Sequence, residues 1–588
     1  MRLPHFFQCL VPLAVITLLL RAGLGAQETV LGPPIELPKY QVTSERELPP
    51  PEDWTYARLE GLEVLSNAPA PATRQLLVDF QRFGYALNLI WPGMRPAGAS
   101  TASLIICGQK QKFEEFLPDQ LRQTERATTS FHLRTRDQAA IVLDYQTKTL
   151  NLAGLEDQTG TPASGDSSAE PAETASLLEL AVDPYQQLYR EYLRFLLAAR
   201  PVPPPAWLGE GLSQLFMNMR ITETEISVGR VENPSLVRDR GTGGPAGDQD
   251  FNAALARRAL LPMPELFAVA RDSATAQNPL NNTWAKQAYA FVHWGLYGDY
   301  GRNKIAFATL VARLEREPPG EALFKECFKQ SYHDMLFTLR SYIELTRTQF
   351  EGVRADKGQK IPFPTDPVVR PATEAEIGRL KGDALILAGD PVKARTVLVD
   401  AYRRGERDPN LLAALGLAEL AADETALARK FLEAAAAAKA IRPRAYVELA
   451  RLRLIDAQAR PEAAGGKLNA AQVIHALEPL RVARSQPPAL PETYQLIGSI
   501  WQASATPPPA AQLLLLEEGV RLFPRDSALV YQAAEWRALG GFGSEARALI
   551  NHGLRVTEDP TMRARFEKLL VGLPPGEPGP KPAPVAKP

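Results

Sequence analysis

The chain has 588 residues, which is too long for one hydrophobic core. Since domains usually have about 100–200 residues, this length predicts three or four domains. Hydrophobic residues make up 45% of the chain and charged residues 23%, which is typical of globular proteins. The formal net charge is −1, which argues against electrostatic binding of nucleic acid or of an anionic membrane surface.

The first 26 residues have the pattern of a secretory signal peptide. Arg2 and His5 precede the apolar run CLVPLAVITLLL, and the small residues of AGLGA predict cleavage near Ala26. The alternative is an uncleaved membrane anchor, but the run is shorter than the about 20 apolar residues that a membrane span requires. We therefore expect an exported protein, periplasmic or extracellular, whose mature chain has no membrane span and begins with an extended, proline-rich lead-in over 27–53.

Residues 54–153 predict a small α+β domain. WTYARLEGLEVLSN alternates apolar positions and indicates two short strands, whereas ATRQLLVDFQRFGYALNLIW has helical spacing. ASLIICG and AAIVLDY are compact apolar runs typical of buried strands, and QKFEEFLPDQL predicts a short helix. The polar segment 154–176 predicts a flexible insertion. Cys107 and Cys327 lie in apolar contexts, so we expect two buried thiols, although export permits a disulfide.

Residues 177–349 predict a mostly helical domain. Its first helix is expected to begin at Asp183-Pro184, because Asp can cap free amides and Pro suits the first turn. Helical spacing places apolar side chains on one face and polar ones on the other: Leu188, Tyr192, Phe195 and Leu196 against Gln187, Arg190, Glu191 and Arg194. Residues 350–370 are interpreted as a linker.

A repeat of 34 residues occupies 371–570. Three small residues recur at that shift, Gly382, Ala394 and Ala401 as Gly416, Ala428 and Ala435. Small residues at fixed spacing allow paired helices to approach closely, and each pair needs neighbours to bury its apolar face. The pattern resembles the tetratricopeptide repeat and implies an α-solenoid that binds a protein or peptide segment. The alternative is a set of unrelated Ala-rich helices. The pattern is looser between 451 and 525, and 571–588 predicts a disordered tail.

The segment LYREYLRFLLAARPVPPPAWLGEGLSQLF has the layout of a zinc-peptidase active site. Zinc hydrolysis needs three protein ligands, an open position for water and a base that accepts the proton of that water. The common arrangement has two histidines four residues apart on a helix, with a glutamate after the first. This chain has Arg190, Glu191 and Arg194 at those positions, and Glu210 opens the next helix.

Together with their surroundings, these residues resemble the exported bacterial gluzincin peptidases of the thermolysin-like clan. The pattern of that group runs HEYxH, a proline, then WLxEGLA; the further matches are Tyr192, Pro205, Trp207, Leu208, Gly211 and Leu212. The resemblance covers about residues 54–350, and a repeat array often follows in that group. It implies a gluzincin-like fold in which positions 190 and 194 are zinc ligands, Glu191 is the general base and Glu210 the third ligand.

Arginine cannot take over the two lost ligand positions. Its guanidinium stays protonated and has no lone pair for a metal, so we predict an inactive homologue with no metal and no cofactor. Glu191 and Glu210 are expected to pair with Arg190 and Arg194 in a salt-bridge cluster. The alternative is a solvated helix face that carries charges. The remaining histidines show no pair at ligand spacing: His132, His293, His333, His475 and His552.

Two residues of this half are expected in the core because of their context. His293 lies on an apolar helix and predicts a hydrogen-bonded core histidine, and Trp207 predicts a core anchor.

Three functions remain open from the sequence. The first is a non-catalytic pseudopeptidase that recruits a protein partner through its repeats, with Arg190 and Arg194 holding an anionic group such as a peptide carboxylate. The second is an active hydrolase that uses another metal set or the carboxylates of Glu191 and Glu210, provided that their pKa values differ. The adjacent arginines argue against it, because they favour both groups as carboxylates. The third is that only the repeats act and the N-terminal half is a spacer.

Overall fold

The computed structural model describes residues 48–573 except 93–101, 123–128, 148, 152–177, 182, 199, 201–202, 230–236, 240–254, 256–257, 272, 278–282, 315–316, 318 and 346–349. The predicted signal peptide, most of the lead-in, the insertion over 154–176 and nearly all of the tail lie outside the described residues. Among the helices of the described part, none is long and apolar enough to cross a membrane.

Within the described ranges, the strands all lie before residue 372. They are β1 (Thr55–Leu59), β2 (Leu62–Ser66), β3 (Ala102–Cys107), β4 (Ser130–Arg134), β5 (Ala139–Asp144), β6 (Thr149–Asn151), β7 (Leu178–Ala181), β8 (Arg220–Ile221), β9 (Glu225–Val228), β10 (Val237–Asp239), β11 (Glu351–Arg354) and β12 (Val369–Pro371). Six of them form the central sheet in the order β12-β1-β2-β3-β5-β4, with β2, β3 and β5 parallel and the outer pairings antiparallel.

The helices of the N-terminal half are α1 (Ala70–Ile90), α2 (Lys110–Glu114), α3 (Asp119–Arg122), α4 (Pro184–Ala198), α5 (Ala206–Met217), α6 (Met263–Ala268), α7 (Ala274–Gln277), α8 (Thr283–Gly301), α9 (Lys304–Leu314), α10 (Glu321–Phe328) and α11 (Tyr332–Leu345). Those of the C-terminal half are α12 (Glu374–Ala388), α13 (Pro391–Arg403), α14 (Pro409–Ala421), α15 (Thr425–Ala437), α16 (Pro443–Ala459), α17 (Ala470–Ser485), α18 (Pro491–Ala503), α19 (Leu514–Leu522), α20 (Ser527–Leu539), α21 (Gly543–Val556) and α22 (Pro560–Val571).

One buried core runs through both predicted N-terminal domains. The sheet face that carries Val64 and Leu104 packs on α1, and the same cluster of buried side chains continues through α4, α5 and α8. Phe83 of α1 stacks on Tyr189 of α4 with ring centroids 4.0 Å apart. Residues 54–153 and 177–349, predicted as separate domains, therefore share a core, because helices from each pack on the other.

The predicted linker over 350–370 takes part in two sheets. Its β11 pairs with β9, and β12 at its end pairs with β1, with Tyr56 opposite Arg370. The edge strand β4 was likewise absent from the sequence-based prediction. Strands of three to five residues carry too few positions for a period to show, and their partners are distant in the chain.

The predicted array of helix pairs is confirmed for the described residues 374–571. Consecutive helices from α12 to α21 pack as pairs, and α22 packs on the last of them. The repeated glycines explain the spacing, because a Cβ at Gly382 would lie 2.7 Å from Leu398 Cγ and one at Gly416 would lie 2.7 Å from Leu432 Cγ. The insertions between 451 and 525 lengthen the turns inside two pairs, α16–α17 and α18–α19.

The first helix of the array covers the second face of the central sheet. Leu380 of α12 lies in one buried cluster with Leu65 and Ile105 of the sheet. Arg379 donates two hydrogen bonds to the Glu63 carboxylate, at 2.9 and 2.6 Å. The array is therefore anchored on the N-terminal half by an apolar contact with an ion pair beside it.

Candidate functional site

Two helices that pack on each other, α4 and α5, position the motif residues. The Asp183 carboxylate accepts a hydrogen bond from the Tyr185 amide at 2.9 Å, as expected for the start of α4. Gly211 allows α5 to approach α8 closely, because a Cβ there would lie 2.6 Å from the Ala288 carbonyl oxygen. Trp207, predicted as a core anchor, is buried with its ring 5.0 Å from that of Phe267. The motif thus lies on helices that are fixed by packing on several sides.

Arg190 joins the two motif glutamates. Its Nη1 donates to Glu191 Oε1 at 2.9 Å and its Nη2 donates to Glu210 Oε2 at 3.0 Å. The other oxygen of Glu210 accepts a hydrogen bond from Gln214 Nε2 at 2.9 Å. Arg194 makes a longer contact than Arg190, since its Nη1 lies 3.6 Å from Glu191 Oε1. We call Arg190, Glu191, Arg194 and Glu210 the arginine–carboxylate cluster.

His132 also belongs to this site, and sequence reasoning missed it. Its Nδ1 lies 3.1 Å from Glu191 Oε2, although the two residues are 59 positions apart in the chain. The contact arises because β4, which carries His132, packs on α4. Periodicity did not reveal the strand that carries His132. The sequence therefore contains nothing that would predict a contact between this single histidine and Glu191.

Glu191 is held as a carboxylate. Burial alone would raise its pKa, but the positive charges of Arg194 and Arg190 and the hydrogen bond with His132 keep the pKa far below its ordinary value. Burial and the charges of neighbouring arginines lower the pKa of His132, although the contact with Glu191 opposes this. His132 is therefore neutral near pH 7 and donates its Nδ1 proton to Glu191.

The alternative of a solvated charged face on α4 is wrong. Arg190 is 5% exposed, Glu191 1% and Glu210 4%. Their charges are compensated by one another rather than by water, as burial requires. The face is buried because α5 and β4 cover it.

The residues present do not fit a zinc ion. Two of the three ligand positions implied by the resemblance carry guanidinium groups, and Arg190 hydrogen-bonds Glu210, which has the third position. Within the described ranges, no group of three or more His, Cys, Asp or Glu side chains could hold a metal ion.

His293 and the two cysteines are located as follows. The His293 ring donates from Nε2 to the Gly229 carbonyl at 2.7 Å and accepts at Nδ1 from the Tyr342 hydroxyl at 2.6 Å. It is a hydrogen-bonded core residue, as predicted. Cys107 is buried, Cys327 is partly buried and both are free thiols.

The burial of His293 predicts a stability that depends on pH. Burial lowers its pKa to about 4, although the bond to the Gly229 carbonyl opposes this. Because the folded-state pKa is below the unfolded one, its contribution is complete above about pH 6.5 and is lost as the pH falls to about 4, by up to roughly 3 kcal/mol. We expect His293→Gln to unfold at a lower temperature at pH 7 and to lose less stability between pH 6.5 and 4 than the wild type. Equal losses in thermal unfolding would contradict this assignment.

The repeat array offers a second candidate site, which the protein itself partly occupies. The turn between β4 and β5 reaches the first turns of α16 and α18. Asp137 lies 3.8 Å from Arg444 Nε, and Arg136 Nη1 lies 3.7 Å from Glu492 Oε1. Further along the array, Arg525 Nη2 donates to the Leu314 carbonyl at 3.3 Å. Part of the surface of the repeat array is thus in contact with the N-terminal half.

Comparison with known proteins finds matches among solved structures alone. No family model matches the chain, and no curated protein matches it. A TPR protein of Thermus thermophilus is 18% identical over 34% of this chain and 99% of its own, with a TM-score of 0.24. The assembly chaperone of RpL4, Acl4, is 17% identical over 34% of this chain and 83% of its own, with a TM-score of 0.24. Yeast Tom70 is 11% identical over 50% of this chain and 52% of its own, with a TM-score of 0.25.

Proposed function

We propose that this protein is an exported, non-catalytic pseudopeptidase that acts as a scaffold and binds a protein or peptide partner through tetratricopeptide-like repeats. The observation that carries the non-catalytic part is the Arg190 guanidinium, which bridges Glu191 and Glu210 at 2.9 and 3.0 Å. In a gluzincin-like site, that guanidinium would stand where the metal and its water act. The N-terminal half then serves as a folded support for the repeat array that packs on it.

A hydrolase that uses the two glutamates is disfavoured by the same contacts. A general base has to accept a proton near the working pH, and a pKa far below the ordinary range makes Glu191 a poor acceptor. The second carboxylate is also occupied, because one oxygen of Glu210 accepts a hydrogen bond from Arg190 and the other accepts one from Gln214. We expect the purified chain to leave unfolded casein uncut. Cleavage that is lost in Glu191→Gln would establish the hydrolase instead.

The partner would bind to the part of the array beyond the contacts with the N-terminal half. Leu539 at the end of α20 and Val571 at the end of α22 are large apolar side chains exposed to solvent. Exposed apolar side chains on a stacked array suit a partner that contributes apolar residues of its own. We therefore propose the C-terminal end of the described residues as the binding surface, because it lies beyond the contacts with the N-terminal half.

Zinc content tests whether the cluster is a metal site that has lost its ligands. We expect the wild type to carry no stoichiometric zinc and Arg190→His/Arg194→His to take up one zinc per chain, because the change adds two imidazoles beside Glu191 and Glu210. Elemental mass spectrometry of the purified proteins measures this. The matched control is Glu321→His/Lys325→His, which places two histidines four apart on the exposed helix α10 and should bind zinc more weakly.

Retention of the partner separates catalysis from binding. Cell-envelope extract of the source organism should yield the same retained partner on the wild type and on Glu191→Gln, because that change lies outside the repeats. Leu539→Glu/Val571→Glu should lose that partner. Stoichiometric zinc in the wild type would refute the pseudopeptidase, and a partner that survives the last variant would place binding elsewhere.

A further inference from the structure

The turn between β4 and β5 is held in shape by its own hydrogen bonds. The Thr135 amide donates to the Gln138 carbonyl at 2.9 Å, and the Gln138 amide donates to Thr135 Oγ1 at 3.2 Å. The Thr135 hydroxyl donates to Asp137 Oδ1 at 3.1 Å. Because these bonds lie within the turn, Arg136 and Asp137 are presented side by side at its tip without support from the repeat array.

On the array, the turn meets the same position of two successive helix pairs. Arg444 is the second residue of α16 and Glu492 is the second residue of α18, and Arg444 Nη2 donates to Glu492 Oε1 at 3.1 Å. Asp137 Oδ1 lies 3.8 Å from Arg444 Nε, and Arg136 Nη1 lies 3.7 Å from Glu492 Oε1. Each charge at the tip of the turn therefore faces an opposite charge on the array.

The contact between the turn and the array is polar, unlike the contact between α12 and the sheet. The turn Thr135–Gln138 brings no apolar side chain to the array, whereas Leu380 of α12 lies in a buried apolar cluster with the sheet. Ion pairs that water can reach contribute little to stability and are weakened by salt. The turn can therefore leave its site at little cost in free energy while α12 holds the array in place.

The turn fills its site on the array incompletely. Both of its ion pairs are longer than a hydrogen bond, and the Arg136 side chain is 63% exposed. Glu492 Oε2 is buried and accepts no hydrogen bond within the part of the chain that the structure describes. A buried acceptor without a donor costs free energy, which a ligand with a better-placed donor would recover. A guanidinium that binds both oxygens of Glu492 with two parallel hydrogen bonds would supply that donor.

We propose that the first turns of α16 and α18 bind a peptide segment of the partner in which an arginine is directly followed by an acidic residue, and that the β4–β5 turn occupies this site as an internal competitor. The arginine of the partner binds Glu492, and its acidic residue binds Arg444. The turn of the chain itself shows the order of charges that the site accepts. The inference rests on the proposed binding function and adds to it a second contact and the chemistry of the partner.

A hairpin peptide with the sequence of residues 132–141, closed by a disulfide between two added terminal cysteines, tests this site. Ligand-observed NMR on the full chain at low ionic strength measures its binding. The matched chain has Asn-Gly in place of residues 134–139, which shortens the hairpin by two residue pairs and keeps Leu133 paired with Ala140. We expect this shortened chain to bind the peptide at least about ten-fold more tightly than the wild type, whose site is occupied.

Two controls show whether the charges and their order are responsible. A peptide of the same composition, with the arginine and the aspartate of the tip exchanged, should bind the shortened chain at least about ten-fold more weakly. Glu492→Gln in the shortened chain should weaken binding of the original peptide by about ten-fold or more. Glu545→Gln, which changes a glutamate in the first turn of α21, should leave that binding unchanged.

A second variant keeps the proposal testable if the shortened chain does not fold. Arg136→Asn/Asp137→Gly keeps the length of the turn, removes both charges at its tip and should likewise bind the peptide more tightly than the wild type. Equal binding to the wild type and to the variants of the turn, equal binding of the two peptides, unaltered binding in Glu492→Gln, or no binding to any of these chains would overturn the proposal. The zinc content and the partner lost in Leu539→Glu/Val571→Glu test the proposed function separately, because neither depends on this peptide.

Discussion

Replacing Arg190 with alanine is expected to lower the free energy of unfolding by about 3–5 kcal/mol, because it leaves buried carboxylates without their main counter-charge. Glu191 and Glu210 are both almost fully withdrawn from water, and Arg190 is the group that hydrogen-bonds both. Urea denaturation followed by tryptophan fluorescence measures the change. The loss should be larger than that from any single exposed ion pair of the chain.

Two comparisons show whether the charge of Arg190 is responsible. Arg194→Ala removes an arginine from the same helix whose Nη1 lies 3.6 Å from Glu191, a longer contact than those of Arg190, and it should therefore cost less than Arg190→Ala. The triple change Arg190→Met/Glu191→Gln/Glu210→Gln removes the cluster as a whole and should recover much of the stability, because buried ion pairs can often be replaced by uncharged groups of similar size. If Arg190→Ala and Arg194→Ala have equal effects, the bridging role of Arg190 is refuted.

Ending the chain at Pro367 is expected to abolish soluble folding of the N-terminal half. The truncation removes β12 and α12, and α12 covers the sheet face that carries Leu65 and Ile105. An apolar sheet face of this kind, if uncovered, is expected to drive aggregation. Soluble yield and near-ultraviolet circular dichroism measure the outcome.

The matched truncation ends at Gly405 and keeps β12, α12 and α13. It should remain soluble and keep the near-ultraviolet signal, since the sheet stays covered. A chain ending at Pro367 that folds as well as the longer one would show that the array is a separable module. The result also bears on the possibility that the N-terminal half is only a spacer. Because deleting all the repeats would unfold that half, a deletion cannot show which half binds the partner. Substitutions on the surface of the array are therefore the sharper test of that possibility.

The local structure of the motif could be predicted from periodicity, but its environment could not. Helical spacing and the Asp183 cap indicated α4, and the four-residue spacing indicated that Arg190 and Arg194 share a face. The same charged pattern is typical of a solvated surface, and the burial of Glu191 depends on α5 and β4 packing over it. Amphipathic spacing describes one helix and contains no information on what covers its polar side.

Pairings between distant segments were the part that sequence reasoning missed. His132 meets Glu191 from a strand that packs on α4, and β12 adds three residues to a sheet whose neighbouring strand lies more than 300 positions earlier. Strands this short show no period, and their register is set by the packing of the complete sheet.

The sequence by itself determined the helices and buried strands, the 34-residue repeat and the arginines at the two ligand positions, because periodicity, small residues at fixed spacing and side-chain chemistry are local properties. The tertiary structure alone decided that one core joins the two predicted N-terminal domains, that α12 covers the sheet, and that His132 contacts Glu191. Those features depend on which apolar faces bury one another, and many pairings of faces are compatible with the same local pattern until the whole chain packs.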